Sequence, residues 1–252
     1  QRYDGTGQPV GGEFEFISQA SSGYVKDFEL SELGDGTLGI IWQETNSPAH
    51  LAGSSQGAIS TVFAQKFELN GAAISSKIEV GEAGYGYGKD ASPDLAALEG
   101  GGFAVTWNSQ IHSFADQVYV KVYNDAGALV RDTVEVNQTP YGEHYNSTVT
   151  GLEGGGFVAI WTSSYDLDGS GGNDLGGQIF DATGNKVGNE FVIYPDSSSA
   201  QNQAFPKVTA LDGGGFVVAW LDHGSGLWIK KFDSSGNPGD AVKTHSSSSY
   251  YI

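Results

Sequence analysis

Apolar residues along this chain gather into short runs separated by glycine-rich or acidic turns, and nowhere do they recur convincingly at helical spacing. The run Phe216-Val217-Val218-Ala219-Trp220 is apolar at every position, as a strand covered on both faces must be. Elsewhere the period is two: Val118, Val120 and Val122 share one face, and Tyr119, Lys121 and Tyr123 take the other. These runs obey a repeat. LGDGTLGIIW ends at Trp42, LEGGGFAVTW at Trp107, LEGGGFVAIW at Trp161 and LDGGGFVVAW at Trp220. After each comes an aromatic, an acidic or amide residue, and a glycine three positions on: Phe67-Glu68 to Gly71, Tyr123-Asn124 to Gly127, Phe180-Asp181 to Gly184 and Phe232-Asp233 to Gly236. A fifth copy, Tyr3-Asp4 to Gly7, stands at the start.

Each motif predicts a hairpin. Glycines such as Gly213, Gly214 and Gly215 supply the positive φ of a tight reversal between two strands. In the second motif the side chain after the aromatic closes an Asx-type turn, and the following glycine takes the left-handed position. One repeat is then a meander of four short antiparallel strands. Across the 252 residues this gives a partial repeat at 1–23, repeats at about 24–81, 82–137, 138–196 and 197–245, and the start of a further one at 246–252. A lone four-stranded unit with two apolar faces cannot bury itself, so neighbours must stack on it. The predicted class is all-β and β-propeller-like, with a linear string of small β-sandwich modules as the alternative. Trp42, Trp107, Trp161 and Trp220 keep one register in every repeat and belong to the core between repeats. The opening in a third strand and the close in a first strand point to a fragment of a longer array, against a fifth blade left partial.

Composition narrows the classes. Lys+Arg total 12 against 30 Asp+Glu, a net charge of −18, and the few cations are scattered, which excludes a nucleic-acid partner. No run approaches the ~18 apolar residues of a membrane span. Without cysteine there is neither a disulfide framework nor a thiolate site. The acidic balance suits extracellular, cation-rich surroundings.

GGGFVVAW, together with Phe-Asp-Ala-Thr-Gly-Asn-Lys-Val-Gly-Asn-Glu-Phe from Phe180 to Phe191, resembles the repeat of very large secreted bacterial proteins of the RTX (haemolysin-type calcium-binding), adhesin-like kind. The resemblance covers nearly the whole chain, weakens in the first repeat, and implies type I secretion, calcium-rich surroundings and an extracellular or cell-surface role. It supplies no catalytic residues.

The most specific chemical feature is the segment from Asp166 to Asp174, where Asp166, Asp168, Ser170 and Asp174 place oxygen-bearing side chains at relative positions 1, 3, 5 and 9 among glycines. Calcium takes about six to eight hard oxygen ligands, which alternate residues and backbone carbonyls of a curled loop can deliver. The competing reading is a solvated acidic turn. Tyr85, Tyr87, Tyr141 and Tyr145, with Phe205, stand in the segments before first strands, where aromatic faces suit sugar binding or ordinary packing. Of the histidines, His50, His112 and His223 share one class of loop at unequal offsets that fit no metal set. Nucleophile-elbow, zincin and phosphate-loop motifs are missing. Asp90, Asp94, Glu143 and Asp222 are assigned to loops, where a carboxylate pair could form although glycosidase acids lie far apart in sequence, and a solvated surface is the favoured reading. The expectation is therefore a non-catalytic structural and surface-interaction module whose partners are neighbouring repeats, copies of itself or surface glycans. A calcium-assisted lectin is the alternative, and a polysaccharide-active enzyme the less favoured one.

Overall fold

The computed structural model describes all residues except 18–23, 46–58, 86–90, 111–114, 170, 196–201, 224 and 246–252. Its described residues form strands joined by turns. Blade I holds β3 (Tyr24–Glu32), β4 (Leu38–Thr45), β5 (Ile59–Phe67) and β6 (Ile78–Tyr85), after a short hairpin of β1 (Arg2–Tyr3) and β2 (Pro9–Val10). Blade II holds β7 (Asp94–Ala97), β8 (Phe103–Ser109), β9 (Gln117–Tyr123) and β10 (Leu129–Glu135). Blade III holds β11 (His144–Gly151), β12 (Phe157–Ser163), β13 (Asp174–Phe180) and β14 (Lys186–Val192). Blade IV holds β15 (Gln203–Ala210), β16 (Phe216–Asp222), β17 (Gly226–Phe232) and β18 (Pro238–His245). Each blade is one antiparallel meander with its strands paired in chain order.

Both predicted hairpins form. In every blade the leucine before the glycine turn bonds the chain on the far side: Leu33 N–H to Thr37 O, Leu98 to Gly102, Leu152 to Gly156 and Leu211 to Gly215. At Gly102 the backbone has φ +86°, and a Cβ there would collide with the Tyr123 carbonyl. In the second hairpin the Asx turn is explicit. Asp181 Oδ1 accepts from the Thr183 and Asn185 amides at 2.9 Å, and Asp233 does the same for Ser235 and Asn237.

The blades stack radially. First strands touch first strands, β3 on β7, β7 on β11 and β11 on β15, so they line the axis and the meanders run outward. The alternative of separate sandwich modules is thereby replaced by a propeller-like ring. Apolar clusters bridge the three junctions between successive blades: Ile41, Val62 and Val80 of blade I pack with Leu95, Val105 and Trp107 of blade II. Val120 and Val122 meet Val149, Phe157 and Trp161, and Ile160 and Ile179 meet Phe216, Val218 and Trp220. The four repeat tryptophans are at most 1 % exposed, as their shared register requires. At about 25 cal/mol per Å² of apolar surface, the indoles of Trp107, Trp161 and Trp220 are among the largest single contributors to holding blade on blade, whereas Trp42 packs with Phe16 and Ile17 of the N-terminal partial repeat. Lys66 adds a polar tie: from β5 its Nζ reaches Asp35 Oδ2 of its own blade and Asp125 Oδ1 of blade II, both at 3.0 Å.

Near the axis Gly151 of β11 meets Ala97 of β7, and a Cβ on Gly151 would run into the Ala97 carbonyl oxygen. Gly151→Ala should therefore cost roughly 1–3 kcal/mol and lower the melting temperature by several degrees. Gly12→Ala, which meets nothing within 4 Å, should leave the melt unchanged. Equal melts for the two variants would refute this axial packing.

Candidate functional site

Among the described residues four non-glycine positions have positive φ: Asp27 at 44°, Ser92 at 40°, Asn146 at 53° and Phe205 at 54°. They are one position repeated, each standing six residues before the leucine of its glycine turn. In blades I, III and IV the first strand slips register there, between Lys26 and Phe28, Tyr145 and Thr148, and Ala204 and Lys207. In blade II the strand proper begins just after it, at Asp94. The bulges add twist to the first strands of blades I, III and IV, and in all four blades the residues at and after this position face the axis. The result is a cavity of about 300 Å³ lined from all four blades, by Asp27, Phe28, Glu29, Ser92, Pro93, Asp94, Asn146, Ser147, Phe205, Pro206 and Lys207.

Two positions past the bulge stand Glu29, Asp94, Thr148 and Lys207, and neighbours among them pair around the axis. Asp94 Oδ2 accepts from the Thr148 hydroxyl at 2.7 Å and the Val149 amide at 2.9 Å, while its Oδ1 accepts from the Leu95 amide at 2.8 Å. Burial pushes the Asp94 carboxyl above the ordinary aspartate range, and these three donors only partly offset it. Glu29 Oε1 lies 3.9 Å from Lys207 Nζ, both side chains being open to solvent, so the pair is worth little to stability. One level up, the Ser92 hydroxyl reaches Asn146 Oδ1 at 3.3 Å. The cavity thus combines carboxyl groups in unlike surroundings, an ammonium, an amide and two exposed phenyl rings.

The acidic loop predicted from spacing converges as well. Carboxylate oxygens of Asp166, Asp168 and Asp174 come within 4.8 Å of one another, and Ser170 lies outside the described residues. The loop curls because Asp174 Oδ2 accepts the Leu167 amide at 2.6 Å and Asp166 Oδ1 the Gly169 amide at 2.6 Å. Burial, and then the charges of Asp168 and Asp166, push Asp174 up to about 6. These three carboxylates form an all-oxygen donor set suited to a hard cation such as calcium.

The aromatic candidates scatter. Tyr141 is exposed, with its ring 5.8 Å from that of Tyr165. Tyr145 is half-buried, and its hydroxyl accepts from Asn173 Nδ2 at 3.0 Å beside the acidic loop. Tyr85 ends β6, and Tyr87 lies outside the described residues, as do His50 and His112. His144 is fully buried with Nε2 2.9 Å from the Thr139 carbonyl, and burial pulls its pKa down, so it is a neutral part of the core. Asp94 and Phe205, assigned to loops and linkers by pattern, stand in the first strand and in the bulge. Asp27, Phe28, Glu29, Asn146 and Lys207 were missed, although their fixed distance from the turn leucine marks them.

No family model matches the chain, and no curated protein matches it. Solved structures do. A protein of unknown function from Dyadobacter fermentans aligns with TM-score 0.58 at 11 % identity, over 90 % of this chain and 71 % of its own. An α-L-arabinanase from Penicillium chrysogenum, solved with arabinobiose, gives 0.54 at 13 % identity over 86 % and 66 %, so the chain spans slightly less than two thirds of that enzyme. An α-L-arabinofuranosidase from Lactobacillus brevis gives 0.53 at 11 % over 90 % and 80 %. At these identities the likeness is one of fold, and it supports the propeller-like ring. It also corrects the expectation of a non-catalytic structural module, because an α-L-arabinanase and an α-L-arabinofuranosidase carry the same fold. Local motifs do not reveal such a site, because the propeller-like fold gathers its carboxyl groups from first strands far apart in the sequence.

Proposed function

We propose that this chain is a polysaccharide-active propeller that hydrolyses a glycosidic bond in the axial cavity. The observation that carries the reading is the meeting of Asp27, Glu29 and Asp94 in one cavity lined by every blade. Glycoside hydrolysis needs one carboxyl group to protonate the leaving oxygen and a second, ionised one to assist water or attack the sugar carbon itself. Asp94 fits the acid, since burial keeps its proton to higher pH than usual. Glu29, open to solvent and 3.9 Å from Lys207 Nζ, is the second carboxyl group of the cavity. Asn146 and Ser147 offer hydrogen bonds to sugar hydroxyls. The structural likeness to an α-L-arabinanase and an α-L-arabinofuranosidase makes arabinan the first polymer to try. Such a substrate is met outside the cell, where the −18 charge favours solubility.

Reducing ends released from arabinan, xylan, β-glucan and pectin measure the activity directly. Asp94→Asn and Glu29→Gln should each lower kcat by about 100-fold or more, and Asp94→Asn should remove the alkaline limb of the pH profile. A wild type inert on all four polymers, or variants as active as the wild type, would overturn the assignment.

The loop of Asp166, Asp168 and Asp174 supports a separate, structural role for calcium, because a cation there relieves the crowding of like charges. Without metal, Asp174 holds its proton more tightly in the folded than in the unfolded chain, about 6 against 3.8. Its stabilising contribution is then complete below pH 3.8 and lost as pH rises through 6. In chelator, the stability of the wild type relative to Asp174→Asn should therefore fall between pH 4 and 7 by on the order of 2 kcal/mol. Millimolar calcium at pH 7 should raise the wild-type melt and leave that of Asp174→Asn in place. A melt indifferent to calcium refutes the site.

A further inference from the structure

The four left-handed bulge positions are not equally natural. Asp and Asn visit that region with modest penalty because a short polar side chain bonds locally, and Ser92 has its bond to Asn146. Phe205 has no such compensation. A bulky aromatic at φ 54° is a genuine outlier and stores backbone strain. Packing does not account for it either, since Phe205 is 50 % exposed. The ring lines the axial cavity, as does that of Phe28 in β3, which is 64 % exposed. Blades I and IV, which carry the two rings, meet across that cavity at Glu29 and Lys207. Two apolar faces therefore stand among a carboxylate, an ammonium and an amide. That mixture matches a sugar ring, whose C–H face is apolar and whose edge carries hydroxyls.

We propose that Phe205 and Phe28 are substrate-binding residues, an aromatic platform on which a sugar ring stacks in the axial cavity, with Phe205 retained there despite its strain. The proposal deepens the glycan-hydrolysis reading and rests on it. The platform sets which sugar is held, and the carboxyl groups beside it set what is done to the sugar.

The strain provides a test that separates binding from folding. Phe205→Asn gives blade IV the residue that blade III already uses at this position, and Phe205→Gly removes the strain altogether. Both should melt about 2 °C above the wild type. Binding is read by calorimetry with arabinobiose and with xylo- and gluco-oligosaccharides. For the best of these ligands Phe205→Asn, Phe205→Gly and Phe28→Ala should each weaken affinity by about tenfold, while Phe205→Trp keeps it. On a polymer that is cleaved, KM should rise with kcat nearly unchanged, unlike the carboxyl variants. If a Phe205 variant fails to fold, Phe28→Ala, an exposed residue of β3, decides. A wild type that binds and cleaves while all three truncations bind as tightly overturns the platform alone. A wild type that neither binds nor cleaves any sugar overturns the hydrolysis reading and the platform with it.

Discussion

Sheets can surround a common axis only if their first strands come close enough to touch while the rest of each sheet splays outward. Nearly every unusual residue of this chain follows from that constraint. At one end of the axis Gly151 meets the Ala97 carbonyl so closely that a Cβ on the glycine would collide with it. Toward the other end the left-handed positions Asp27, Ser92, Asn146 and Phe205 bend the chain at one register in every blade, with a bulge that adds twist in blades I, III and IV. The axial cavity is the space that this twist opens. Farther out the gap between splayed sheets widens and must be filled by large groups. Trp107, Trp161 and Trp220 and the phenylalanine stacks, such as Phe157 on Phe180 with centroids 4.7 Å apart, meet that need.

The fold was legible in the sequence to the extent that it is encoded locally. A glycine turn or an Asx turn is decided by residues within about five positions, so LEGGGF and Phe-Asp-Ala-Thr-Gly announce their hairpins without reference to anything distant. Trp161 was legible by register, because each repeat buries the same position against its neighbour. The acidic loop was legible for the same reason as the turns. Its Asp166, Asp168 and Asp174 lie within one nine-residue stretch and converge by bonding their own backbone amides.

The axial cavity was not legible in that way. Its carboxyl groups become neighbours only through the ring, and each taken alone resembles a solvated surface residue: Glu29 lies in an alternating strand, and Asp94 follows a Ser-Pro pair. Pattern reading placed Asp94 in a loop because the bulge and Pro93 interrupt the period of two on which strand recognition depends. Counting back from the turn leucine would have recovered it. That count aligns Asp27 with Ser92, Asn146 and Phe205, and places Asp or Asn, residues tolerant of the left-handed region, inside otherwise regular strands. The signal was present as a repeat-register anomaly rather than as a motif.

The ring's imperfect symmetry is what makes the cavity chemically useful. Glu29, Asp94, Thr148 and Lys207 occupy one backbone position in four blades, and four copies of a single acid there would repel one another and titrate as a group. Divergence instead pairs unlike neighbours. Thr148 donates to Asp94, which sinks out of water and keeps its proton longer, whereas Lys207 stands beside Glu29 in a more open setting. Asp94 is thereby set apart by burial, against the pull of its hydrogen-bond donors, and two carboxyl groups on equivalent scaffolds acquire the unlike surroundings that paired acid and base chemistry requires. A repeat fold can reach that condition with few changes, because the backbone at all four positions is already turned toward the axis and only the side chains need to differ.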